Sequence, residues 1–240
     1  MTPNLVEQAE EFFEETWDVL ARVLPLDKDQ VEPSIEHNKD SGLVVAEVEL
    51  PLAYNGPAVE DNEPLPEFSD LFRVVIRYVM CFDRSNTYLT VSRSKYELRV
   101  HTSPGIRFEF ERDNASAPTA HIHYSGNGGL LSPIIMRNFS HTKDARKKGD
   151  IQRLHLPVGG RRFRPSLEDF LYFVIKECGF RGRSGWENFL LERREKWLDL
   201  QLKAAVRDNP EIAAEELKRL GFEVCVPKGV DLIKKRVRGW

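Results

Sequence analysis

The sequence predicts an α+β fold: one curved, mainly antiparallel sheet of about six strands, with a helix before it and a helical group after it. Three observations carry this. An apolar stripe at helical spacing runs through the first two dozen residues, short β-branched and aromatic runs between turn residues fill the middle, and residues 166–240 return to helical periodicity. With 240 residues, 41% hydrophobic and 30% charged, the chain can bury a core of ordinary size. Residues 1–165, an acidic helix plus a β-rich core, and residues 166–240, a helical region, are expected to pack as one domain.

Thr2-Pro3 reads as the cap and first residue of a helix whose apolar face carries Leu5, Ala9, Phe12, Phe13, Trp17, Leu20 and Val23. Pro25 ends it, and residues 25–42 read as a connection. Residues 43–52 alternate as a strand does. Residues 53–70 hold three prolines and five acids, and read as a mobile loop or an arm crossing one side of the sheet. Residues 71–82, Tyr88 to Val91, Tyr96 to His101, Ile106 to Arg112 and Thr119 to Tyr124 follow as strands of a meander, with turns at Asp83–Asn86 and at Ser103-Pro104-Gly105. A short helix is expected near Pro133 to Phe139, and a last core strand at Ile151 to Val158. Ser166 caps a helix that Gly179 stops. Ser184 and Glu187 form a capping-box pattern before a helix to about Asp208, Asn209-Pro210 starts another that Gly221 ends, and Glu223 to Val226 reads as a short edge strand.

Charge is uneven. The net charge is -3, yet residues 1–70 carry -15 and the rest +12. Nine Lys/Arg fall between Arg137 and Arg164 against Asp144 and Asp150, the footprint of a phosphate-binding surface or of a solvated loop. The acidic N-terminal segment could cover that basic face. The three cysteines, Cys81, Cys178 and Cys225, are isolated, which points to a reducing cytoplasm rather than a disulfide framework. The acidic start lacks the pattern of a secretory signal, and no apolar run approaches the roughly 18 residues of a membrane span.

One polar constellation stands out. His121 and His123 are two apart on a strand and share a face; Arg153 and His155 share the polar face of the strand 151–158. If the two strands belong to one sheet, all four side chains converge. They then suit metal-free phosphodiester chemistry, with imidazoles as acid and base and arginine on the phosphoryl oxygens. They also suit a His-x-His metal site with a third His, non-catalytic binding of phosphate or an acidic partner, or the plain packing of half-exposed strand residues. Arg161, Arg162, Arg164, Arg146, Lys147 and Lys148 are the candidate phosphate holders. No metal and no cofactor is assigned from the sequence. The nucleotide-binding, nucleophile-elbow and zincin motifs are absent.

Three family likenesses bear on this. His121-Ile122-His123, with Gly149-Asp150 and Pro157-Val158-Gly159, resembles parts of the two cupin motifs, but no Glu follows His123 at that family's spacing and Arg162 stands where its second motif has His. Arg137 to His141 (RNFSH) resembles the Arg/His motif of HEPN ribonucleases, one residue short. Phe108 to Gly126 and Leu154 to Ile175 resemble the core of small bacterial proteins that include TumE-like toxin families. That last resemblance implies a cytoplasmic toxin or defence effector acting on RNA or a nucleotide phosphodiester through the His/Arg site. The alternative is a non-catalytic nucleic-acid- or protein-binding subunit, docking a partner through the apolar side chains of the C-terminal helices.

Overall fold

The computed structural model describes residues 4–27, 31–54, 56–83, 86, 88–114, 116–126, 150, 155–159 and 162–225. Helix α1 (Leu5–Val23) is followed by β1 (Ser34–Asn38), β2 (Leu43–Ala53), β3 (Phe68–Phe82), β4 (Leu89–Val100), β5 (Ser103–Glu111), β6 (Ala120–Tyr124) and β7 (Leu156–Pro157). Then come α2 (Leu167–Tyr172, continued by a π-helical stretch Phe173–Glu177), α3 (Trp186–Asp208) and α4 (Pro210–Arg219). The strands form one open antiparallel meander in sequence order.

The expected α+β architecture is present, with seven strands rather than about six. Ser34–Asn38 pairs with β2 as an edge strand whose residues are all exposed, so it has no apolar alternation to betray it. The segments around Tyr88 and Tyr96 are one strand, because the polar residues between them lie within the ladder to β3. The turn into β5 is His101-Thr102 rather than Ser103-Pro104-Gly105: Val100 pairs with Ser103, and His101 takes φ 53.

Register sorts the two faces. Val48, Ile76, Tyr96, Phe108, Ile122 and Leu156 form one transverse row, each opposite the next. The adjacent row is Glu47, Arg77, Lys95, Glu109, His121 and Pro157. Because side chains alternate along every strand, the apolar row faces one side and the charged row the other. Helices α1 and α2 pack on the apolar side, burying Ala9, Phe13 and Leu20 from α1 and Phe170, Leu171 and Val174 from α2's length. The Phe170 ring meets Tyr96 and Phe108 at centroid distances of 5.8 and 5.5 Å. Buried Tyr78 and Tyr96 join hydroxyls at 3.1 Å, so neither polar end is stranded in the core.

Helix ends depart from expectation where a side chain finds a better partner. Asn4, not Thr2, caps α1, its Oδ1 accepting from the Val6 N–H at 3.1 Å. Ser166 caps α2 as expected, with Asp169 completing the box. No box forms at α3: Gly185 is the cap residue at φ 75, and Glu187 instead accepts from the Tyr172 hydroxyl and Lys176 Nζ, both at 3.1 Å. Residues 223–225 are irregular rather than a strand. The proline-rich segment is docked at Val59 on the stretch just before α3: Val59 is fully buried, its N–H donates to the Gly182 carbonyl at 3.0 Å, and its own carbonyl accepts from the Ser184 N–H at 2.9 Å. The expected helix near 133–139 lies outside the described residues.

Candidate functional site

The site grows from the charged face at the β5–β7 end of the sheet. Register sets Glu109 opposite His121 and Arg107 opposite His123. On β7, Pro157 pairs with His121 and Leu156 with Ile122, and the Val158 N–H donates to the Ala120 carbonyl at 3.1 Å. This antiparallel pairing carries His155 alongside His123. The assumption that the two His-bearing segments are neighbours is therefore met.

The three imidazoles form a triangle with ring centroids 4.7 to 4.9 Å apart. One ring nitrogen from each lies within 4.8 Å of the other two. His121 and His123 are 2% and 7% exposed, and His155 is half-buried. Glu109 Oε2 lies 3.3 Å from His121 Nε2 and 3.2 Å from His123 Nε2. Its other oxygen, Oε1, faces Arg107 Nη1 at 3.4 Å. Behind His121, Nδ1 is 2.7 Å from the Pro118 carbonyl. A carbonyl only accepts, so Nδ1 carries the proton.

That proton dictates the chemistry. With Nδ1 protonated, Nε2 of a neutral His121 turns a lone pair toward a carboxylate, and the two repel. Something positive must stand between them, either a second proton on the ring or a metal ion. In the ion-free protein the proton serves. Burial works against a charged ring at His121, but the hydrogen bonds to Glu109 and Pro118 and the charges of Glu109 and Glu111 outweigh it and raise its pKa. Burial likewise pushes Glu109 up, and it is overcome by hydrogen bonds from His121 and His123 and by the Arg107 charge, so the carboxyl is held well below the usual range.

Other expected site residues are elsewhere. Arg162 is committed to Asp208, with Nε and Nη2 at 2.7 and 2.6 Å from Oδ2. Arg164 lies 3.8 Å over the Phe110 ring, which belongs to the helix-covered side, away from the imidazoles. Arg153, Arg161, Arg146, Lys147 and Lys148 lie outside the described residues, as does Arg137 to His141. Helix α1 also packs on the helix-covered side, so its acidic surface does not face the imidazole cluster.

Glu109 and Arg107 were not among the candidates. Their signal was present: Arg107, Glu109 and Glu111 alternate with Ile106, Phe108 and Phe110, one strand before the His pair. What was missing was the register across the loop between them. The carboxylate and third imidazole that the cupin pattern lacked do stand beside the pair, but they come from other positions and from an open sheet. Among the described residues, no helix is long and apolar enough to cross a membrane. Compared with protein-family models, curated proteins and solved structures, the chain matches none, and the geometry alone speaks for its chemistry.

Proposed function

We propose that His121, His123 and His155, with Glu109, form a binding site for a single transition-metal ion, and that the protein works through that ion. The observation that carries this is the convergence of three imidazole nitrogens within 4.8 Å of one another, two of them against the Glu109 carboxylate, with the far nitrogen of His121 already pinned to a backbone carbonyl. A carbonyl behind a ligating imidazole fixes its tautomer and aims its lone pair, the usual outer support of a metal-bound His. Three neutral nitrogens and one carboxylate suit zinc or ferrous iron. Burial favours this reading over direct acid–base attack on RNA, because an ion reaches rings 2% and 7% exposed more easily than a polyanion does.

Metal analysis of the purified full chain tests it. About one equivalent of zinc or iron per chain is expected after loading and desalting, falling to background in a His121→Ala/His155→Ala variant. No retained metal, or equal retention in the double variant, rejects the site.

A second reading keeps one observation in its favour. Glu109 holds His121 toward its protonated form, which suits a general acid. On that reading the protein cleaves a phosphodiester in RNA or a nucleotide without metal, in the toxin or defence setting that the likeness of Phe108 to Gly126 implies. Cleavage that persists in excess chelator and disappears in His121→Ala/His123→Ala favours it. Cleavage abolished by chelator returns the chemistry to the metal.

A further inference from the structure

We infer that the cluster takes a small oxyanion, a carboxylate or a phosphate, as its exogenous ligand, held between the bound metal and the Arg107 guanidinium. This rests on the metal reading above and adds the class of molecule that the centre would act on.

Arg107 is placed for the task. It stands directly opposite His123 in the β5–β6 ladder, and its Nη1 touches the same carboxylate that His121 and His123 share. Its Nε–H is buried and, among the described residues, has no hydrogen-bond partner. A charged donor left unmatched in a buried position costs more than a neutral one, so it marks a place where a ligand group is due. The obvious internal partner is already engaged: Glu97, opposite Arg107 on β4, is taken by Arg99 and, at 3.6 Å, by Lys95. The Arg107 side chain keeps 28% exposure, so a molecule from solvent can reach it although the rings beside it are covered.

Charge points the same way. A divalent ion held by three neutral imidazoles and the single Glu109 carboxylate keeps a net positive charge beside Arg107, and an anion relieves it. The guanidinium fork matches the paired oxygens of a carboxylate or phosphate. The confined approach favours a small molecule over a polymer.

The test uses the full chain loaded with cobalt(II), whose visible spectrum responds to a change of ligand. Acetate and methyl phosphate are titrated separately, which distinguishes a carboxylate-taking from a phosphate-taking site. The expected result is a saturable spectral change with one of them. In Arg107→Gln that binding weakens about ten- to hundred-fold while cobalt stoichiometry stays the same. In zinc-loaded, nitrogen-15-labelled wild-type protein, the Arg107 Nε–H resonance also moves on adding the same anion, a readout that needs no variant. Anion responses equal in wild type and Arg107→Gln, or an unmoved Nε–H resonance, overturn the inference while leaving the metal site intact. Failure to take up cobalt or zinc overturns both.

Discussion

At His121 the decisive fact is which nitrogen is occupied. The Pro118 carbonyl claims the Nδ1 proton, so Nε2 faces Glu109 and must carry either a proton or a metal. The two alternatives have opposite pH dependence. In metal-free protein, the raised pKa of His121 contributes stability that is complete below its unfolded value of 6.5 and is lost as pH rises through the folded value. The lowered pKa of Glu109 contributes stability present above 4.5 and lost as pH falls toward the folded value. The contribution of the pair therefore peaks between those two unfolded values. Thermal melts of metal-free protein should show stability declining as pH rises above 6.5, and declining less in His121→Gln. Metal affinity should rise over the same interval, since binding must expel the Nε2 proton. A His121→Gln profile parallel to wild type removes the protonated pair from the explanation.

At the scale of elements, the site depends on a two-residue strand. Strand β7 holds His155 against β6 through pairing at Pro157 and Leu156 and the Val158 N–H, and Gly159 ends it. Gly159 has φ +57, and its carbonyl accepts from the Phe163 N–H at 3.2 Å. A Cβ there would run into the Phe163 carbonyl. Gly159→Ala adds to that clash the left-handed penalty of roughly 1–2 kcal/mol. The turn must shift, and His155 moves with it. Metal affinity is expected to fall about ten-fold or more, a loss matching 1.4 kcal/mol or above, read by competition with a chromogenic chelator. An unchanged affinity would mean that His155 is held by something other than this turn.

At the scale of the molecule, the sheet separates stability from chemistry. The helices hold one face and the imidazoles occupy the other, so damage to the core should weaken the fold without rearranging the ligands. Phe170 is fully buried against Tyr96 and Phe108, and Phe170→Ala is expected to cost about 3–5 kcal/mol in urea unfolding. Metal stoichiometry of the folded fraction should stay the same; its loss would mean that the two faces are coupled through β5. Of the apolar side chains of the C-terminal helices, Leu190 is buried in the core, while Leu200, Leu202 and Val206 on α3 and Ile212 and Leu217 on α4 are at the surface.

Local rules made much of this protein legible. Apolar alternation marked β2 and β5, a β-branched and aromatic run marked β3, the Ser166 cap and the Gly179 stop bounded the stretch that contains α2, and the two-residue spacing of His121 and His123 put both rings on one face. These are properties of neighbouring residues, so sequence order alone carries them. Strand β1 escaped notice because an edge strand with every residue exposed needs no apolar pattern, only a backbone partner. Glu109 and Arg107 escaped because register is a relation between strands, and a one-residue slip would have sent both to the other face. Tertiary pairing decided that a carboxylate, a guanidinium and three imidazoles share one space, through hydrogen bonds between chain segments that no local pattern specifies.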